Sequence, residues 1–152
     1  MPLLNYTTTI AVEKTHGEIC RMLAKHGAKS VLSEFDDDGE PVAVSFLIDT
    51  PFGQRGFRLP ANIEAVYRVL TRQWGKGQVQ RRFVTREQAA RVGWRIVKDW
   101  LEAQMAIVDT EMVTFTQVML PYMETDSGQT VYEALEQRNL ALPAGRKVQA
   151  VE

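Results

Sequence analysis

Five cations gather around one stretch of the chain, Arg72, Lys76, Arg81, Arg82 and Arg86, with Trp74 and Phe83 set among them. Guanidinium forks and an ammonium match the oxygens of a phosphate or carboxylate, and an aromatic ring offers a surface on which a base can stack. Arg81, Arg82 and Arg86 flank the predicted start of a helix, where the macrodipole is positive and cations are mildly destabilising. A stability argument places acids there. Their presence therefore points to an external anion that also uses the free backbone N–H groups of the helix start. The alternatives are that the acidic C-terminal third or the Asp36–Asp38 turn folds over the loop and neutralises it, or that the cations are simply solvated.

The neighbouring cations have a local explanation. Glu64 precedes Arg68 by four residues, Glu87 precedes Arg91, Arg95 precedes Asp99 and Lys98 precedes Glu102. Such pairs on a helix form a solvated face worth roughly 0.2 to 0.5 kcal/mol each. The wider charge pattern is uneven: residues 65–98 carry nine basic and one acidic side chain, within a chain of net charge -1. A segregated block of this kind makes a local positive field.

Other chemistries fit the sequence less well. His16 and Cys20 stand four apart, a spacing at which two side chains on one helix face can grip a metal. Structural zinc takes four ligands, and there is no second cysteine, so Cys20 reads as a small core residue. The run Asp36-Asp37-Asp38-Gly39-Glu40 invites a calcium loop, yet the twelfth position falls on Leu47 or Asp49 instead of a glutamate, so it reads as a hairpin turn. Ser30, Ser33, Ser45 and Ser127 lie in no glycine-flanked elbow, and no Walker-type or dinucleotide-binding glycine pattern follows a strand. Gly75-Lys76-Gly77 is too short for a phosphate loop and reads as a flexible connection. The sequence thus implies no cofactor, no metal and no visible catalytic machinery. Of the three tryptophans, Trp100 falls mid-face as a core residue, Trp94 at the edge of that face, and Trp74 at a helix end as a stacking platform.

The elements that must position these residues follow from periodicity and punctuation. Tyr6 to Val12 is rich in β-branched residues and predicts a strand. Thr15 with Glu18 predicts a capping box for a first helix over 16–26, closed by Gly27. Ser30 to Phe35, Pro41 to Ile48 and Gln54 to Leu59 predict an antiparallel meander, with Val42, Val44, Phe46 and Ile48 on one face. Ile63, Val66, Tyr67 and Leu70 predict a second helix over 61–73, and residues 74–84 a loop. Thr85 with Gln88 opens the strongest helix, to about 111, with Ala89, Val92, Gly93, Ile96, Val97, Trp100, Leu101, Ile107 and Val108 inward and Arg91, Arg95, Lys98 and Glu102 outward. Thr114 with Gln117 caps a short helix before Pro121, and Thr130 begins a last one to about Arg138, ahead of a loose tail.

The stretches FRLPANIEAVYRVL, REQAARVGWRIVKDWLEAQMAIV and LPYM resemble a family of small uncharacterised bacterial and phage proteins, which implies an accessory role in a phage or mobile element and carries over no activity. The expected fold is α+β in one domain over 1–152. It comprises a strand–helix–meander part at 6–60 with a short three- or four-stranded antiparallel sheet and helices on one face, a helical part at 61–140 led by one long helix, and a tail from 141. The helix–meander–helix order also resembles double-stranded RNA-binding domains in topology, an analogy of fold alone. The expected function is non-enzymatic binding of nucleic acid or a phosphorylated ligand through the basic loop. The other reading is a protein-interaction or homo-oligomeric assembly factor, if Met105, Met112, Phe115, Met119, Tyr122 and Met123 exceed what the core covers. No apolar run reaches the roughly 20 residues of a membrane span, no export signal opens the chain, and the single cysteine suits a reducing compartment, so the expected location is the cytoplasm.

Overall fold

The computed structural model describes residues 1–142. The elements run α1 (Val12–Lys25), β1 (Ala28–Phe35), β2 (Pro41–Thr50), β3 (Gly53–Arg58), α2 (Ile63–Gly75), α3 (Arg86–Asp109), α4 (Phe115–Met119) and α5 (Val131–Gln137). The fold is α+β, with a long α3 leading the helical C-terminal half. The three strands form one antiparallel sheet in the order β1-β2-β3.

The sheet buries Val44, Phe46, Ile48 and Phe57. Val42, expected on the same face, is exposed because it has no partner in the register: Glu34 pairs with Ala43 and Phe35 with Pro41, leaving Val42 as the extra residue of a bulge. A bulge bends the strand and breaks its alternation. Phe46 and Phe57 stack at 5.4 Å, and Phe115 meets both edge-on, which fastens α4 to the sheet. Past α4 the chain returns to the edge of β3, where the Glu124 N–H donates to the Gly56 carbonyl at 2.8 Å.

The long helix α3 lies against the sheet through Trp94, Val97, Leu101 and Met105. Trp94 is fully buried, and its indole N–H donates to the Pro41 carbonyl at 3.1 Å. The expected order of Trp94 and Trp100 is thereby reversed, while Trp74 is the exposed one as expected. Trp100 is only half-buried, edge-on to Tyr122 at 5.3 Å. The physical reason is that α3 has neighbours on more than one side, so its buried arc is wider than the single stripe that periodicity picks out. On another side it meets α2, which packs chiefly on α3 and not on the sheet. Gly93 marks that crossing: a Cβ there would lie 2.6 Å from Ile63 Cδ1 and 3.2 Å from Val66 Cγ2.

The first helix begins at Val12, with Ala11 as N-cap and no side-chain cap. The expected Thr15–Glu18 box does not form, because Thr15 is fully buried on the face that carries Val12, Ile19 and Leu23. Both residues turn to α3 instead: Arg95 donates to Glu18 Oε2 at 2.7 Å and to Thr15 Oγ1 at 3.2 Å. Residues 6–11 are not a strand. Tyr6 and Thr8 offer their carbonyls to the Gln88 amide at 2.9 and 3.0 Å, so this segment is held by a helix side chain and not by a sheet edge.

The C-terminal apolar residues mostly join the core. Met105 and Met119 are buried, Phe115, Tyr122 and Met123 pack against the core cluster, and Met112 stays 70% exposed. Thr114 and Thr130 each form a full capping box, with Gln117 and Glu133. Glu133 also pairs with Arg58, tying α5 to β3. The expected tail from 141 lies, from residue 143 on, outside the described residues.

Two outcomes follow from these contacts. Gly93→Ala gains up to about 1 kcal/mol of helix propensity, which displacing Ile63 and crowding Val66 offsets. It is therefore expected to change stability little, while Gly93→Leu overpacks the crossing and costs about 3 kcal/mol. Urea unfolding of the two variants beside the parent measures both. The Thr130 hydroxyl, first, lowers the pKa of Glu133 from its ordinary 4.5; desolvation opposes this, and the Thr130 N–H and Arg58 add to the lowering. A depressed folded value means that the stabilisation is complete above the ordinary value and is lost as pH falls through the lowered one. Amide protection factors in α5, measured against the intrinsic exchange rate at each pH, are expected to fall on that acid limb, and Glu133→Gln to abolish the fall.

Candidate functional site

The connection between α2 and α3 has a defined shape, contrary to a flexible glycine linker. Lys76 is the C-cap of α2 and Gly77 follows with φ of 70°. The Gly77 N–H donates to the Trp74 carbonyl and the Gln78 N–H to the Gln73 carbonyl, both at 2.9 Å. These two bonds close the helix in a Schellman motif, which requires a left-handed residue at the position of Gly77. Val79, only 5% exposed, then anchors the connection in the interior. Arg81–Phe83 make one turn of 3-10 helix, where a plain loop was expected. Thr85 caps α3 by accepting from the Gln88 N–H at 3.0 Å. Gln88 does not complete the box, since its Oε1 accepts from Arg91 while its Nε2 donates to the Tyr6 and Thr8 carbonyls.

On α2, Tyr67, Thr71 and Trp74 fall at spacings of four and three and share one side of the helix. Together with Arg81, Arg82, Val84 and Thr85 they line one shallow depression between α2 and the start of α3. Trp74 is 40% exposed, and the Arg81 guanidinium lies 4.9 Å from its ring centre.

The predicted cations thus divide. Trp74, Arg81 and Arg82 come together in the depression. Arg72 and Lys76 are exposed but lie outside its lining. Arg86, expected to be unpaired, is bound to Glu64 and lies 4.6 Å over the Tyr67 ring. Phe83, expected as a stacking surface, is half-buried edge-on to Tyr6 at 5.4 Å, with Arg82 over its ring at 4.7 Å. It positions the turn instead of presenting a platform. Sequence reasoning overlooked Tyr67, Thr71, Val84 and Thr85; the helical spacing of Tyr67 and Thr71 from Trp74 was the signal that could have found them.

The expected neutralisation by acids is not what holds the loop. The Asp36 carboxylate is spent on its own turn, accepting from the Asp38 and Glu40 N–H groups at 2.9 and 3.0 Å. Among the described residues no carboxylate forms an ion pair with Arg72, Lys76, Arg81 or Arg82. Aromatic rings stand in for acids beside Arg81 and Arg82. An exposed contact of that kind is worth about 0.5 to 1 kcal/mol and leaves the in-plane N–H groups of the guanidinium free to donate.

The helix-local pairs expected for the other cations are largely replaced. Only Lys98–Glu102 forms as read, while Arg91 donates to Gln88 Oε1 at 2.9 Å and Glu64 serves Arg86. Elsewhere, His16 bonds Ser33 Oγ through Nε2 at 2.7 Å and lies 4.0 Å from Cys20 Sγ. Burial raises the Cys20 pKa, with Arg21 opposing, so the thiol is a poor nucleophile. Among the described residues no group of three or more His, Cys, Asp or Glu side chains is placed to hold a metal. Likewise, no described helix is long and apolar enough to cross a membrane.

Comparison with family models, with curated proteins and with solved structures finds no match to this chain.

The shape of the connection rests on Gly77, around which a Cβ would meet no atom within 4 Å. The cost of Gly77→Ala is therefore conformational alone, about 1 to 2 kcal/mol for forcing an alanine into the left-handed region. Gly75→Ala, at a helical position with equally open space, is expected to be neutral or slightly stabilising. Thermal unfolding of the two variants distinguishes the capping glycine from its neighbour.

Proposed function

We propose that this protein is a non-enzymatic binding module whose depression between α2 and α3 takes a phosphate-bearing ligand, nucleic acid above all. The observation that carries the reading is the meeting of Arg81 and Arg82, free of carboxylate partners among the described residues, with Trp74 at one solvent-facing depression. Two guanidiniums oriented by rings present rows of donors, the arrangement that suits phosphate oxygens. The Thr85 hydroxyl, which accepts from Gln88, keeps its own proton to donate. The electropositive start of α3 adds to the same field. Arg72 and Lys76, exposed beside the depression, extend it along a polyanion. With the resemblance to small bacterial and phage proteins, this describes an accessory factor acting in the cytoplasm.

Phosphate binding through cations has a salt signature. For single strands log K falls with log salt by about 0.7 per phosphate contacted. Titration of a labelled oligonucleotide at several salt concentrations is expected to give a steep slope. Arg81→Gln combined with Arg82→Gln should weaken binding at least tenfold and flatten that slope by about 1.4, two contacts' worth. Binding that is absent, or indifferent to salt, overturns the reading.

A further inference from the structure

Trp74 is 40% exposed, yet one face of its ring is taken by the Arg81 guanidinium at 4.9 Å. We infer that Arg81 holds the place of a nucleobase, and that the depression is selective for unstacked, single-stranded nucleic acid whose base displaces Arg81 from Trp74. This inference rests on the phosphate-binding reading above and names its ligand.

The argument is one of exchange. A guanidinium and a base are both planar and both stack on an indole face, but an exposed cation–π contact is the weaker of the two and base stacking the stronger. Exchange is therefore favourable when a free base is offered. Arg81 is not wasted by it: once off the ring, its donors are available to the phosphate of the same nucleotide. The rest of the lining suits a nucleotide. Thr71 donates its hydroxyl proton to the Tyr67 carbonyl at 2.9 Å and so presents lone pairs, while Thr85 presents a proton. An acceptor and a donor on opposite walls can address the amino and carbonyl groups of a base edge.

A duplex cannot use this arrangement. Its bases already stack on one another, and its A-form or B-form surface offers phosphates but no free ring face except at an end. Inorganic polyphosphate likewise engages the cations alone. Trp74 therefore separates single strands from the other two kinds of ligand, whereas Arg81 and Arg82 do not.

The test uses the full chain with three probes: a short oligothymidylate, a blunt duplex of equal length, and tripolyphosphate. Trp74 is the most exposed tryptophan, Trp94 being fully buried and Trp100 half-buried, so stacking is expected to quench the tryptophan emission with oligothymidylate and not with tripolyphosphate. Trp74→Leu is expected to weaken oligothymidylate about tenfold or more, to leave duplex and tripolyphosphate within about twofold, and Trp74→Phe to recover most of the loss. Oligothymidylate affinity unchanged in Trp74→Leu overturns the stacking inference while leaving the phosphate site standing, provided that tripolyphosphate still binds. If none of the three probes binds the parent chain, the phosphate reading fails and this inference fails with it.

Discussion

The burial of Trp94 beneath the sheet, with its N–H donating to the Pro41 carbonyl, is the contact around which the other elements arrange themselves. An indole of this size removes on the order of 200 Å² from water, and leaving its N–H unpaired in the interior would cost about 1 to 3 kcal/mol. The bond therefore fixes both the depth and the rotation of α3 against the start of β2. With that rotation set, successive residues of α3 point to different neighbours. Gly93 admits α2, Arg95 reaches Glu18 and Thr15 of α1, and Gln88, nearly two turns earlier, holds the segment ahead of α1. One helix thus acts as the common partner of a sheet and two helices.

The candidate site inherits its geometry from that arrangement. Because α2 crosses α3 closely at Gly93, the side of α2 that carries Tyr67, Thr71 and Trp74 shares one shallow depression with the residues leading into α3. The connection between the two helices is then short and constrained, closed by Gly77 at one end and pinned by buried Val79 in the middle. Further ties reinforce this end of α2: the Gln73 side chain accepts from the Leu3 N–H at 3.0 Å and donates to the Met1 carbonyl at 3.2 Å. Arg81 and Arg82 consequently sit on a turn whose backbone is set by hydrogen bonds and burial, which lowers the entropy lost when a ligand orders their side chains.

Local signals in the sequence located the elements well and their partners poorly. The meander, the long helix, the box at Thr114 and the last helix beginning at Thr130 all follow from periodicity, turn residues and capping, which are properties of a few adjacent residues. The N-terminal segment reads as a strand because threonine and isoleucine favour extended chain, but β propensity expresses a fit to a pleated, half-buried surface. Here Gln88 supplies the hydrogen bonds instead. The pairing of Arg95 with Asp99 fails for a related reason. The rule for residues four apart assumes a face turned to water, and α1 covers that side of α3, leaving the Arg95 side chain 14% exposed beside Glu18. Trp94 was misplaced by the same assumption, since a helix with neighbours on several sides has no single inward stripe.

The same distinction decides which cations of the basic stretch carry meaning. Local reasoning set Arg91, Arg95 and Lys98 aside as paired on α3 and kept Arg86 as free; in the fold the first three are engaged, though two of them with other partners, and Arg86 joins them through Glu64. Arg81 and Arg82 rest on aromatic rings, and the two kinds of partner differ in what they leave behind. A carboxylate consumes the N–H edge of a guanidinium and cancels its charge, whereas a ring engages the face and leaves both edge and charge intact. A chain that needed only to neutralise this turn would be served by acids, which its flanking thirds hold in excess. Placing rings there orients two arginines without silencing them, and orientation without neutralisation is what a site for an anion requires.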